Sequence, residues 1–501
     1  MNKIIRDPEK NKDKIFDAII IGGGIYGAML SLVASQSGLK TLLLERDDFG
    51  GATSFNSLRI VHGGLRYLQK MDLNRFFESV SERKWLLKNF PDLVKPLPCL
   101  MPLYGKGLYR PSIFKIALLL NDILSMNRNQ DMPETSKLPG GKIISAEEVK
   151  KILPDVDTIN LKGGALWYDG SMPDSQRILI EILKWSCSLG AETLNYFEAK
   201  DLIKKENQVT GVRALDRENG TYYNFSSKIV INAAGPWCRD VAKYFDKDYQ
   251  DLFKSSIAWN ILFNKKAISN HAIAVNPKRP GAKTYFLRPW KGMLFAGTIH
   301  EPWNGITKNP IPSESSVSTF INDLNSTINN LNLKQEDILN IYSGLLPAKE
   351  NGSEKLAVRE VILDHSKSGG PEGLFSISGV KFTTARLVAE KTINKIFSDN
   401  KNSTNVSMDS PIYEKCLGLF DYNWYPEEND PDWKEILVKI VNNESVLHLD
   451  DLVLRRTSIG DNPVRTLDLA QKISYLFNWD FERIENERDR LKNSYFTIKK
   501  Q

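Results

Sequence analysis

Residues 16–46 read FDAIIIGGGIYGAMLSLVASQSGLKTLLLER. Ala18 to Ile21 is a short, mostly β-branched run that suits a buried parallel strand. Gly22-Gly-Gly24-Ile-Tyr-Gly27 follows at once, residues 28–37 predict a helix, and Gly38 stops it. Thr41 to Leu44 predicts a second buried strand that ends at Glu45. Together these make a complete βαβ dinucleotide fingerprint: Gly22 allows the tight turn, Gly24 lets backbone approach a pyrophosphate, and Gly27 lets helix and strand pack closely. The helix N-terminus offers free N–H groups and a positive dipole end to phosphates. Glu45 stands 21 residues after Gly24, where a carboxylate accepts hydrogen bonds from a ribose. The pattern alone does not separate FAD from NAD. Its place at the start of a long chain leans toward a flavin.

Working outward, the chain has 501 residues, enough for two to four domains and a large core. Hydrophobic residues are 41% and charged residues 26%, which excludes a disordered, collagen-like or coiled-coil chain. The 67 Lys and Arg against 61 Asp and Glu leave +6, too small an excess to indicate a nucleic-acid partner. Cys99, Cys187, Cys238 and Cys416 have no C-x-x-C spacing, which argues against a disulfide framework or a cysteine zinc site and fits a reducing compartment. No run approaches 18 apolar residues, and the short apolar run at 16–21 contains Asp17 and meets three glycines rather than a cleavage site. The expected location is cytoplasmic, with peripheral contact on the inner face of the cell membrane left open.

Residues 47–68, DDFGGATSFNSLRIVHGGLRYL, extend the fingerprint. With it, they resemble the FAD-dependent glycerol-3-phosphate dehydrogenases, within the glycine-oxidase-like flavoproteins. Further matches recur in order: Tyr168-Asp169, Asp174 to Leu179, Ile231-Asn-Ala-Ala-Gly-Pro-Trp237, Tyr342-Ser-Gly344, Gly379-Val-Lys-Phe-Thr-Thr-Ala-Arg386 and Asp450 to Thr457. The resemblance implies an α/β fold. A Rossmann-like FAD-binding domain is interleaved with an antiparallel-sheet substrate domain, and a C-terminal helical domain follows. It implies FAD held by Gly22, Gly24, Gly27, Glu45, Thr53, Ser54, Gly63, Gly64, Ala234, Gly235, Gly379, Lys381 and Thr383. It places Arg66, Tyr67, Lys381 and Arg359 at the substrate, with His62 as a base or ring-positioning residue. The implied reaction takes sn-glycerol 3-phosphate to dihydroxyacetone phosphate by hydride transfer to flavin N5, with electrons passed to a quinone.

The sequence departs from this family at two places. Its loop carries Tyr-Ser-Gly-Val-Arg-Pro, whereas this chain reads Tyr342-Ser-Gly-Leu-Leu-Pro347, with Leu346 at the arginine's place. A Lys-Gly-Ser-His run aligns most simply with Lys254-Ser-Ser-Ile257, which lacks the histidine. Either other cations compensate or the substrate differs. Arg288 is a candidate for compensation, or else a strand-end arginine at the surface. His300 reads most simply as a solvated loop histidine, and His271, His365 and His448 as structural or exposed. Asp169 and Asp174 read as hinge or cap residues before a helix at 175–187. Two alternatives stand beside the leading reading: an FAD enzyme of the same fold acting on another hydroxy acid, amine or sugar-derived substrate, and a flavin-binding scaffold without turnover.

The expected domain organisation is a catalytic unit over 1–396, a polar linker over 397–411 and a helical unit over 412–501, with a substrate sheet around 255–300. Asp480 to Lys492 reads as a solvated helix face. Residues 104–124 mix Lys106, Arg110 and Lys115 with Tyr109, Phe114 and a leucine run. They suit either an amphipathic core helix or a membrane-surface helix near a quinone site.

Overall fold

The structure is a computed structural model that describes residues 3–68, 71–105, 107–305, 307–398, 424–426 and 432–495. Among these, the strands form three sheets. The first has the order Val361–Asp364, Leu374–Ser378, Val230–Asn232, Ala18–Ile21, Thr41–Glu45, Glu192–Asn195. It is parallel except for the edge pair between Val361–Asp364 and Leu374–Ser378. Both faces of its centre are covered, and so the central strands Ala18–Ile21 and Thr41–Glu45 are nearly continuous apolar runs. Ala18, Ile20 and Leu43 face the helices Ile25–Gln36, Ser175–Ser188 and Ala385–Ile396. Ile19, Ile21, Leu42 and Leu44 face a second sheet of four strands, meeting Phe197, Val209, Val212 and Phe225. Period-two alternation thus fills two cores from one run of residues.

The third sheet is antiparallel apart from one parallel pair. It runs Ile338–Pro347, Ser255–Lys266, Met293–Pro302, Tyr285–Trp290, Ala272–Val275, Lys95–Leu103, Gly163–Ser171 and Ile60–Val61, so it reaches far beyond the expected 255–300. One face packs Ile257, Trp259, Ile261, Leu294 and Ala296 against the helix Glu314–Asn325. The other packs Leu262, Phe295 and Tyr342 against Leu58 and Ile60, and so faces the segment that follows the fingerprint.

The C-terminal helices Asp432–Asn443, Pro463–Ser474 and Phe481–Ser494 build a core of their own around Leu437, Leu452, Leu469, Ile473 and Leu491. Their last helix is no simple solvated face, since Ile484, Glu487 and Leu491 are buried. The expected linker lies, from residue 399 on, outside the described residues, as do Cys416 and Lys106. The fingerprint helix begins at Ile25, three residues earlier than its sequence pattern predicts, with Gly24 as its N-cap. The helix Pro111–Leu124 buries only Phe114 and Leu118. Those two pack into the core of the third sheet, while Ile113, Ile116, Leu119, Leu120 and Ile123 face outward. No helix among the described residues is long and apolar enough to cross a membrane.

Candidate functional site

At the fingerprint, Gly22 has φ +105° and packs under Ala233, so an added Cβ would stand 2.7 Å from the Ala233 carbonyl oxygen. A Cβ on Gly27 would lie 1.8 Å from the Gly22 carbonyl oxygen, which is why a glycine sits inside this helix. Gly24 is open, with Ser54 Oγ the nearest atom at 3.3 Å. Ser54 Oγ accepts from Ile25 N–H at 2.9 Å, tying the 47–58 segment to the helix N-terminus. The Glu45 carboxylate accepts from Gly23 N–H (2.6 Å) and Asp47 N–H (2.9 Å). Burial pushes Glu45 up to about 7, against the pull of those amides. Ala234 and Gly235 follow the buried Asn232, whose Oδ1 accepts from Ala234 N–H at 3.2 Å. An open glycine turn on a helix N-terminus, with a carboxylate beyond it, is the donor and acceptor set that a flavin dinucleotide requires.

Further along, His62 and Asp169 meet. His62 Nδ1 lies 3.2 Å from Asp169 Oδ2, and Gly63 N–H donates to Asp169 Oδ1 at 2.6 Å. Arg83 Nη1 donates to the same Oδ1 at 2.9 Å and to the Tyr168 carbonyl at 2.8 Å. Burial would raise Asp169, but the hydrogen bond with His62, the Arg83 charge and the Gly63 amide outweigh it and hold the carboxyl at about 2. Asp169 is thus a buried anion that orients the His62 ring and leaves its Nε2 edge free. A Cβ on Gly63 would collide with the Arg83 guanidinium, and Gly64 has φ +90°, so both glycines are imposed by this packing.

Cations converge on Tyr67. Arg66 Nη2 donates to the Tyr67 hydroxyl at 2.9 Å, and Lys381 Nζ donates to the same oxygen. The guanidinium of Arg75 lies 4.8 Å from the Tyr67 ring. Burial would raise the Tyr67 phenol, but Arg66 and Lys381 outweigh it and bring it below its ordinary value. Burial pushes Lys381 down, with Arg66 and Arg75 adding to the effect and Tyr67 opposing it. Arg359 lines a cleft together with Arg75, Lys381, Thr384 and the carboxylates Glu78 and Glu360. Its guanidinium is 4.0 Å from Glu78. Lys381 itself is held from the fingerprint: Tyr26 OH donates to its carbonyl (2.8 Å) and accepts from its N–H (3.0 Å). A Cβ on Gly379 would strike the Tyr26 ring, and Thr383 lies in the helical turn Phe382–Thr384 that follows. Thr53 Oγ1 donates to the Leu345 carbonyl at 3.0 Å, joining the 47–58 segment to the third sheet.

Some sequence candidates fall elsewhere. Arg288 is fully buried and donates to the carbonyl of Arg59 (2.6 Å) and to Ser171 Oγ (2.6 Å), so it braces the 58–59 backbone and is neither a substrate cation nor a surface arginine. Burial, with the Arg59 charge beside it, brings Arg288 down to about 9. Ile257 packs with Trp259 and Ile261 on the far face of the third sheet. Leu346 is half-buried and alternates with Leu345, which packs on that far face, so Leu346 belongs to the face that meets Thr53. His300 is in the strand Met293–Pro302 rather than a solvated loop. Burial, with the charges of Lys283 and Arg66 close by, brings it down to about 4. His365 is buried between Asp246 and Ser376 at 2.9 Å each, and His448 lies between Glu487 (2.7 Å) and Glu218 (3.0 Å). Asp174 does precede the helix, and its carboxylate accepts from Lys291 at 2.7 Å. The sequence reading missed Tyr26, and it underrated Asp169 as a hinge.

Comparison with known proteins agrees with this geometry. A family model described as FAD dependent oxidoreductase (DAO) matches residues 17–394. The chain belongs to that family. As an FAD-dependent oxidoreductase it is an enzyme with FAD as cofactor, and its architecture is the family's FAD-binding fold with a helical C-terminal region. It is 30% identical over 405 residues to a glycerol-3-phosphate dehydrogenase of Synechocystis sp., covering 77% of this chain and 71% of that one. It is 31% identical over 396 residues to the mitochondrial glycerol-3-phosphate dehydrogenase of Bos taurus. That match covers 76% of this chain but spans only 52% of the bovine one. In structure it resembles glycerol-3-phosphate dehydrogenase from Bacillus halodurans complexed with FAD, with a TM-score of 0.73 at 20% identity over 97% and 96% of the two chains.

Proposed function

We propose that this oxidoreductase oxidises the secondary alcohol of a small polyol phosphate, sn-glycerol 3-phosphate to dihydroxyacetone phosphate, and hands the electrons to a quinone. The observation that carries the reading is the group of cations around Tyr67, namely Arg66, Lys381 and Arg75, with Arg359 in the cleft that Lys381 and Arg75 also line. Relatives named glycerol-3-phosphate dehydrogenase support the substrate class. FAD, when bound, supplies a hydride acceptor at N5. Arginines hold a phosphate well because their planar fork matches it in two bonds at once. With Nδ1 turned to Asp169, His62 Nε2 is the atom that takes the hydroxyl proton. On the cofactor side, Gly22, Gly24, Gly27, Ser54 and Ala234–Gly235 hold the dinucleotide phosphates and Glu45 the ribose. Thr53, Gly63–Gly64 and Gly379–Thr383 border the ring. Residues 1–396 act as one catalytic unit with the helical unit docked on it.

Leu346 favours a second reading. A charge-assisted hydrogen bond contributes roughly 1.5–3 kcal/mol, so an arginine replaced by leucine weakens phosphate binding about ten- to a hundredfold. A substrate with an apolar group at that point, such as another hydroxy acid, an amine or a sugar-derived alcohol, avoids the loss. Anaerobic mixing of the holoenzyme with sn-glycerol 3-phosphate, followed by the flavin's visible absorption, separates the two. Rapid bleaching is the expected result. A flavin that dithionite reduces but glycerol 3-phosphate does not would move the assignment to the second reading.

The same proposal places the enzyme on the inner face of the cell membrane. Support comes from the outward row on Pro111–Leu124, where Ile116 is 60% and Leu119 59% exposed, with Arg110 and Lys115 exposed beside it. Apolar side chains rimmed by cations suit an anionic lipid surface. Cys99, Cys187 and Cys238 are free thiols, in keeping with a cytoplasmic setting. The protein is expected to co-sediment with phosphatidylglycerol vesicles, and an Ile116→Glu, Leu119→Glu double variant to bind at least tenfold more weakly. A wild-type protein left in the supernatant rules the membrane assignment out.

A further inference from the structure

His300 lies opposite Ala258 in the neighbouring strand, and Ala258 in turn lies opposite Gly344 in the next. Its chain neighbours point to the far face: Ile299 packs in the core there, and Glu301 accepts from the indole of Trp259, which is part of that core. The imidazole is therefore on the face that meets the flavin segment. It shares a cross-strand row with Gly344, where an added Cβ would stand 3.0 Å from Thr53. Arg66 is near enough to act on its charge. The Nδ1 atom is buried and has no hydrogen-bond partner among the described residues.

A buried polar atom left without a partner costs about 1–3 kcal/mol, so a folded chain normally supplies one. Here no group among the described residues does. We propose that His300 is a substrate-contacting residue whose Nδ1 accepts a hydrogen bond from a hydroxyl of the substrate seated at Arg66 and Lys381. The inference rests on the hydroxylated-anion reading above and deepens it. Burial and the two nearby cations keep the ring uncharged at neutral pH, which leaves a nitrogen lone pair free to accept. A buried acceptor of this kind selects for the hydroxyl, because an analogue without it leaves the nitrogen unpaired. The sheet therefore sets the His300 acceptor two strands away from Leu346.

The test compares His300→Leu with His300→Asn in the FAD-loaded full chain, using sn-glycerol 3-phosphate and following flavin reduction. Asparagine returns an acceptor oxygen near the position of Nδ1, whereas leucine returns none. The leucine variant is expected to raise KM about tenfold with kcat within threefold of wild type and the oxidised flavin spectrum unchanged. The asparagine variant is expected to recover most of the affinity. Wild-type KM in the leucine variant overturns the inference alone, and so does equal loss in both variants or loss of bound flavin, which a packing role predicts. A wild-type flavin that glycerol 3-phosphate does not reduce overturns the substrate reading and the inference with it.

Discussion

An Asp169→Asn enzyme is expected to keep its fold and its FAD but to reduce the flavin about 10²–10⁴-fold more slowly with substrate. The carboxylate accepts from Gly63 N–H and Arg83 and turns His62 so that Nε2 faces outward. An amide keeps one acceptor for Gly63 and Arg83, but it presents an N–H to His62 Nδ1. That favours the tautomer whose Nε2 already carries a proton and cannot take another. Asp169→Ala is expected to fail differently. It leaves the Arg83 guanidinium buried without its anion, a loss of about 3–5 kcal/mol, and unfolds at lower denaturant. A rate within threefold of wild type in Asp169→Asn would remove His62 from proton transfer. The pH dependence follows from the same group. Its native carboxyl sits at about 2, below the ordinary value near 3.9. Its contribution to stability is therefore fully present above about pH 4 and is lost as pH falls toward 2. Wild-type chemical denaturation should show that acid loss, and Asp169→Asn should lack it.

The second large effect is expected far from the chemistry. Arg456 donates from Nη1 and Nη2 to the two oxygens of Asp48, at 2.7 Å each, and Arg455 Nε reaches Asp48 Oδ2 at 2.6 Å. Burial alone would raise Asp48, but these two arginines outweigh it and hold the carboxyl far below the usual range. Asp48 lies three residues after Glu45, and Gly50 N–H beyond it donates to the Gly23 carbonyl at 3.0 Å. The helical segment Asp451–Arg456 of the C-terminal unit thus grips the stretch that follows the fingerprint. Arg456→Met is expected to cost about 2–3 kcal/mol, because Asp48 loses its two-bond partner and keeps only Arg455 and Asn195, a fall in Tm on the order of 2–3 °C for a chain this long. The variant is also expected to purify with less FAD, and added FAD should restore part of the midpoint because it binds only the folded form. Unchanged flavin content together with an unchanged midpoint would show the two units to be energetically independent.

Much of this was legible because it is local. The fingerprint packs strand, turn, helix and strand into 31 residues, each with its own signal, and Arg66 and Tyr67 travel with Gly63 and Gly64 in one motif. The helix start at Ile25 was read late because Ile25-Tyr-Gly27 looks like turn. An interior glycine costs about 1 kcal/mol against alanine, and only contact with Gly22 explains its presence. Asp169 was underrated because its partner is 107 residues away. The pairing of Ile60 with Ser171 and Val61 with Gly170 brings His62 opposite Asp169, and no periodicity within either segment encodes that register. Arg288 misled for the opposite reason: a cation at a strand end looks free in sequence, while its carbonyl partners at Leu58 and Arg59 are invisible there. The pattern of Pro111–Leu124 marks an amphipathic helix but does not say which side the core takes.

The strand order of the first sheet governs how the chain must be born. Ala18–Ile21 leaves the ribosome early, yet Val230–Asn232 flanks it only after two hundred further residues, and Leu374–Ser378 closes that side later still. At about 5–20 residues per second, synthesis leaves this apolar strand with an unpaired edge for roughly ten to forty seconds before Val230–Asn232 emerges. Nascent chains are then open to pairing with one another, so soluble yield should rise when initiation is slowed or when a holdase is supplied. A message that stalls before codon 374 should direct its product to aggregates rather than to a partly active enzyme.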